Sequence, residues 1–195
     1  MNPDNSSIAG IIIATGESDK PGTSTATLKM KDDSFLKIIM RAIRDCGCTP
    51  LWVIYGIDPG NIARESEHLG LNAILDESRK IGDLSAIRKI IPQLKGKTAG
   101  IMVTLCDYPL VNSDVYHLLC HVFLENPDRI LVPIFEGKRG FPIIIPRLLG
   151  DDMLKLKGNF YIDDILHNNA GLILEQLVDD PGILRKITAE KDLLI

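Results

Sequence analysis

Short runs of uninterrupted apolar residues alternate along this chain with stretches in which apolar residues recur every three or four positions. Ile8 to Ala14 (IAGIIIA) is apolar throughout, the pattern of a strand covered on both faces. Ser34 is placed to cap a helix carrying Phe35, Ile38, Ile39, Ala42, Ile43 and Cys46 on one stripe, and Gly47 ends it. Leu51 to Tyr55 (LWVIY) predicts a second strand, Pro59 to Leu69 a helix, and Leu71 to Leu75 a short third strand. A helix follows near Asp83 to Leu94, with Leu84, Ile87, Ile91 and Leu94 inward, and Ala99 to Leu105 (AGIMVTL) reads as a central strand. The next helix is capped by Asn112 or Ser113 and buries Val115, Leu118, Leu119, Val122 and Phe123. Arg129 to Ile134 and Phe141 to Ile145 flank the turn from Glu136 to Gly140 and predict an antiparallel hairpin. A helix over Tyr161 to Asn168 and a strand over Leu172 to Leu177 precede a charged tail. The alternation specifies an α/β class built from βα units with a mostly parallel sheet. With no repeat, low-complexity tract or linker, residues 1–195 read as a single domain.

Composition narrows the function. An apolar content of 45% and a charged content of 25% are those of an ordinary folded domain. A net charge of -4 argues against a general nucleic-acid surface, which needs a basic excess, but not against a small anionic ligand. No segment approaches the ~20 apolar residues that span a bilayer, and the opening MNPDNSS lacks the basic start of a signal peptide. The expectation is a cytoplasmic protein without a membrane partner. Cys46, Cys48, Cys106 and Cys120 include one C-x-C pair and no second, so they read as reduced, mostly buried thiols. His117 and His121 flank Cys120 at helical spacing without a carboxylate and read as a solvated pair, while Trp52 reads as core.

Ligands of open α/β sheets bind beyond the carboxyl ends of the strands, and three segments converge there. Ala14-Thr15-Gly16 opens a loop of small polar residues, in which a glycine lets backbone approach a phosphate. It matches neither G-x-G-x-x-G nor a Walker loop. Leu105-Cys106-Asp107-Tyr108-Pro109 puts a carboxylate at the tip of the central strand, a costly place for a charge unless a cation such as nucleotide-borne Mg²⁺ meets it. Pro109 stiffens the turn that aims it. Lys138 and Arg139, between Gly137 and Gly140, offer either a clamp for an acidic substrate or a solvated hairpin tip.

Taken together, Ile13 to Thr25 (IATGESDKPGTST), Leu105 to Pro109 and Gly137 to Pro142 resemble the MobA-like nucleotidylyltransferases, especially their CTP-using molybdopterin cytidylyltransferase branch. That family opens with an L-A-A-G-x-S-x-R-M-G-x-x-K loop and carries L-x-D-x-P and G-x-x-G-H-P later. The resemblance covers nearly the whole chain. It implies a Rossmann-like three-layer α/β/α sandwich of the nucleotide-diphospho-sugar transferase type. It also implies Mg²⁺-assisted attack of a substrate phosphate on the α-phosphate of CTP or GTP, with a molybdopterin-type acceptor and a molybdoenzyme as a further partner. Carried over by position, Ala14, Thr15, Gly16, Lys20 and Gly22 would bind the nucleotide, and Asp107 and Lys20 would be catalytic, Asp107 as the Mg²⁺ ligand. Lys138, Arg139, Gly140 and Pro142 would line the second-substrate side. Thr15 is no glycine, which favours CTP over GTP. Several positions depart from the family. Lys20 replaces an arginine, Thr25 the phosphate-binding lysine, and Phe141 the histidine before Pro142. Gly158-Asn159-Phe160-Tyr161 stands at G-D-x-G, and Arg185 to Glu190 at D-I-D-T-P-E, with Ile187 at the second metal ligand. Loss of a charge-stabilising group typically lowers rate by ~10²–10³, so the departures also admit a non-catalytic relative that binds nucleotide or pterin or serves molybdoenzyme maturation.

Overall fold

The computed structural model describes residues 7–76, 84–94 and 98–193. In chain order the elements are β1 (Ser7–Ala14), β2 (Lys29–Met30), β3 (Asp33–Ser34), α1 (Phe35–Asp45), β4 (Leu51–Tyr55), α2 (Pro59–His68), β5 (Asn72–Leu75), α3 (Ile87–Ile90) and β6 (Thr98–Leu105). They continue with α4 (Ser113–Glu125), β7 (Ile130–Phe135), β8 (Lys138–Arg139), β9 (Ile143–Pro146), α5 (Gly150–Lys155), α6 (Ile162–Asn168) and β10 (Ile173–Leu177). The main sheet runs β10-β7-β9-β6-β1-β4-β5, with β8 added to the end of β7, while β2 and β3 form a separate small ribbon. Every strand of the main path points the same way except β9, which is antiparallel to both β6 and β7.

The apolar run of β1 is explained by its two covered faces. Ile8, Ile12 and Ala14 pack toward α1, α2 and α4, and Ala9, Ile11 and Ile13 pack toward α3, α5 and α6. This is the expected three-layer sandwich. Trp52 lies in the second of these cores. Ser34 caps α1, its hydroxyl accepting from Lys37 N–H at 3.1 Å, and Gly47 follows the helix at φ 85°. Asn112 rather than Ser113 caps α4, accepting from Asp114 N–H at 3.1 Å.

Three expectations are corrected. The helix expected from Asp83 to Leu94 is α over Ile87–Ile90 only, because Pro92 turns its end into a 3-10 helix; Asp83 lies outside the described residues. Its inward residues Leu84, Ile87, Ile91 and Leu94 are nonetheless buried. The buried face of α4 is rotated: Tyr116 and Cys120 go inward with Val115, Leu119 and Phe123, while Leu118 is exposed and Val122 half-buried. A stripe chosen by apolarity alone overlooked an inward tyrosine and cysteine. Finally, the hairpin turn is tighter than expected. Glu136 and Gly137, both at positive φ (48° and 74°), reverse the chain between β7 and β8, and β9 then crosses to lie between β7 and β6. Among the described residues no helix is long and apolar enough to cross a membrane.

Candidate functional site

The chain leaves β1 toward α1 and β4, and leaves β6 toward α4 and β7. The two strands are neighbours, so their carboxyl ends open a crevice at a point where the connections diverge. Ile13 is paired with Leu105, and Cys106 N–H donates to the Ile13 carbonyl at 2.9 Å, which brings the two exit loops together. A Cβ built on Gly16 would stand 2.9 Å from Thr25 Oγ1 and 3.6 Å from Asp107 Oδ2. The glycine turn of the first strand and the acidic tip of the central strand therefore face each other across one crevice, and only a glycine leaves the gap between them open.

Behind Gly16 the chain folds into a small closed hairpin. Glu17 bridges Ser24, with Ser18 N–H donating to the Thr23 carbonyl (2.8 Å) and Thr25 N–H to the Gly16 carbonyl (3.0 Å). Thr23 N–H donates to the Lys20 carbonyl, Lys20 N–H to Ser18 Oγ, and Gly22 N–H to Glu17 Oε1 (2.7 Å). Asp19 N–H reaches the Thr188 carbonyl at 3.1 Å. These six amides are engaged within the protein, so an anion here would meet side chains instead. Lys20 and Gly22 are exposed at the tip, whereas Ala14 and Thr15 are buried at its base.

Asp107 is 5% exposed. Its Oδ2 is 3.0 Å from Lys186 Nζ, and its Oδ1 is buried with no hydrogen-bond partner. Lys186 arrives on the segment that follows β10 and crosses in front of the crevice. That segment is seated at several points. The Asp180 carboxylate accepts from Gly182 N–H (2.7 Å) and from Asn112 N–H (2.8 Å), and Phe141 N–H donates to the Ile183 carbonyl at 3.1 Å. Ile187 N–H donates to the Asp107 carbonyl at 2.7 Å, while the Ile187 side chain is buried with Leu28 and Phe35. Side chains at Gly140 and Gly182 would collide with the carbonyls of Ile183 and Leu110, so the segment is packed backbone to backbone. The rings of Tyr108 and Phe141 lie 5.2 Å apart beside it. Burial first, and the Asp107 charge second, push the Tyr108 hydroxyl above its ordinary pKa.

The expected second-substrate residues lie on β8 (Lys138 and Arg139) and in the link from β8 to β9 (Gly140 and Pro142). Lys138 and Arg139 are exposed, Gly140 N–H donates to the Pro133 carbonyl at 3.0 Å, and Pro142 is buried. Arg139 is paired with Glu175 on β10 at 2.7 Å. Sequence reasoning missed Lys186. The available signal was a cation directly before Ile187, where a carboxylate had been expected two positions after Arg185. The orphaned Asp107 Oδ1 suits one cation ligand, but no cluster of three metal-ligating side chains forms around it among the described residues. A divalent ion held by Asp107 would complete its shell largely with phosphate and water.

A mostly parallel sheet with two reversed strands, β8 and β9, closed on both faces by helices and carrying an acid opposite a glycine at its switch point, defines a nucleotide-handling α/β domain of the transferase type. The chain belongs to the family of the MobA-like NTP transferase domain, whose model matches residues 10–172. Among curated proteins, none matches it by sequence. Rv0371c of Mycobacterium tuberculosis superimposes with a TM-score of 0.78 at 20% identity, covering 97% of each chain, and has also been solved in complex with manganese. A nucleotidyl transferase from Methanothermobacter gives a TM-score of 0.74 at 16% identity, covering 96% of this chain and 94% of that one. A CMP:2-keto-3-deoxy-manno-octonic acid synthetase complexed with CTP gives 0.67 at 13% identity, covering 92% and 95%.

Proposed function

We propose that this chain is a nucleotidyltransferase that takes a nucleoside triphosphate, CTP in preference to GTP, into the crevice between β1 and β6 and transfers its nucleotidyl group to a phosphorylated acceptor of the molybdenum-cofactor class. The observation that carries this reading is the apposition of Gly16 and Asp107, 3.6 Å from a Cβ position to a carboxylate oxygen, with an ammonium at 3.0 Å from the same oxygen. Ala14, Thr15 and Gly16 contact base and ribose, and Thr15 supports CTP, as does the likeness to a synthetase solved with CTP. An acceptor phosphate oxygen forms a bond to the α-phosphorus, the bond to the bridging oxygen breaks, and pyrophosphate leaves with the electron pair. This chemistry is mostly positioning and charge neutralisation. Mg²⁺ held by Asp107 would neutralise phosphate charge when bound, in keeping with the manganese complex of the mycobacterial neighbour. Lys186 lies beside Asp107 and moves its charge onto the incoming phosphates, in the role of the lysine that Thr25 replaces. Lys20 at the hairpin tip meets the outer phosphates, and Lys138, Arg139, Gly140 and Pro142 edge the acceptor side. On this reading the transfer takes place in the cytoplasm.

A second reading, a relative that binds nucleotide or pterin without turnover and serves a molybdoenzyme, is favoured by one observation. Ile187 is sealed into an apolar cluster and supplies no metal ligand. Pyrophosphate release from CTP, GTP and ATP with Mg²⁺ and a molybdopterin acceptor separates the two. Acceptor-dependent release from CTP supports the transferase. CTP-dependent thermal stabilisation without release supports the second reading in its nucleotide-binding form, and no response to any nucleotide contradicts the transferase and favours the partner role.

A further inference from the structure

Away from the crevice, three thiols meet where α1 turns into β4. Cys46 caps the end of α1, Cys48 follows one residue later beyond Gly47, and Cys120 projects inward from α4 because that helix is rotated from the face its apolar residues suggest. Their sulfurs are 3.6 Å (Cys46–Cys48), 3.7 Å (Cys48–Cys120) and 3.3 Å (Cys120–Cys46) apart. All four cysteines of the chain are free, and these separations are far beyond a disulfide bond of about 2.05 Å. They are close to the edge of a tetrahedral thiolate site, roughly 3.8 Å for metal–sulfur bonds of ~2.3 Å. Cys48 and Cys120 are buried and Cys46 is half-buried, so the sulfurs are screened from oxygen-ligand competition yet lie at the surface end of the core. His117 stands one turn before Cys120 on α4 and is exposed.

We propose that Cys46, Cys48 and Cys120 bind a thiophilic divalent metal ion, with zinc the natural occupant and His117 the fourth ligand. The set reads C-x-C and H-x-x-C, two ligand pairs brought together from elements far apart in sequence. Three thiolates and an imidazole make a closed tetrahedral set of the structural kind. The ion pins the α1–β4 corner to α4 and so staples the helical layer on one face of the sheet. Binding releases the protons still carried by the three sulfurs. The site is independent of the nucleotide crevice, which lies at the opposite ends of the strands.

Reduced full-length protein titrated with Co²⁺ tests this. Tetrahedral ligand-field bands and thiolate-to-cobalt charge transfer should saturate at one equivalent and be displaced by Zn²⁺, and Zn²⁺ should raise Tm while a chelator lowers it. Cys48→Ser should abolish the charge-transfer band. His117→Ala, an exposed change that leaves the core intact, should shift the ligand-field bands, whereas His121→Ala should not. A wild-type spectrum that stays octahedral or silent overturns the metal site. Bands unaltered in His117→Ala overturn the fourth ligand.

Discussion

Asp107 sits at the tip of β6 with a side chain 6% exposed, while Lys186 is 49% exposed, and the two are 3.0 Å apart. A lysine that loses its partner turns into water; a buried carboxylate does not. Lys186→Met should therefore destabilise the fold by about 2 kcal/mol, below the 3–5 kcal/mol of a fully buried pair because water screens the lysine side. Asp107→Asn should cost less than about 1 kcal/mol, since it keeps the shape and removes the charge. Urea unfolding of both variants measures this asymmetry; equal losses would show that the pair is not what holds Asp107. Thr25 is buried against Gly16, its hydroxyl donating to the Gly16 carbonyl at 3.4 Å. Thr25→Lys should raise CTP affinity roughly tenfold, the equivalent of one charge-assisted hydrogen bond at ~1.5 kcal/mol, read by fluorescence titration with a CTP analogue. Gly16 and Asp107 were legible because a glycine and a carboxylate after apolar runs mark strand exits. Lys186 was not, since a cation in a tail without periodicity gives no sign of the strand tip it will meet.

The segment after β10 is positioned by caps and close backbone contacts instead of apolar burial alone. Asp180 links Gly182 to Asn112, so Asp180→Ala should loosen the strand of chain that carries Lys186 and raise its cleavage in limited proteolysis severalfold, with global unfolding shifted by about 1 kcal/mol. Its far end is fixed by Asp192, whose carboxylate accepts from the amides of Thr188 (3.1 Å) and Ala189 (3.0 Å) and is held below the ordinary carboxylate range by them, Thr188 first. A lowered folded pKa contributes stability above the unfolded value of ~3.9 and loses it as pH falls through the folded one. The protection factors of the Thr188 and Ala189 amides, each rate being referred to the intrinsic exchange rate at that pH, should thus hold from neutrality down to about pH 4 and fall as the pH drops through the lowered folded pKa. Strands were the most legible elements: β1, β4 and β6 lie where their apolar runs predicted. Helices were less so. The last turn of the helix after residue 84 yielded to Pro92, α5 was not foreseen, and α4 turned by about one position, which is what carries Cys120 to the other two thiols.

At the scale of the whole molecule, the order β10-β7-β9-β6-β1-β4-β5 leaves a single switch point between β1 and β6, and the candidate groups gather at its carboxyl edge. The class and its mostly parallel sheet follow from alternating apolar runs and helical periodicity. The place of β9 between β6 and β7 does not, because pairing across the sheet is decided by long-range packing. With a net charge of -4, the chain must attract a polyanion through local cations at this edge. Calorimetric titration of MgCTP into wild type, Lys186→Met and Asp107→Asn tests that most directly. The account predicts one site in wild type, binding weakened at least tenfold in Lys186→Met, and loss of the Mg²⁺ dependence in Asp107→Asn. Equal affinity and equal metal dependence in all three proteins would contradict it.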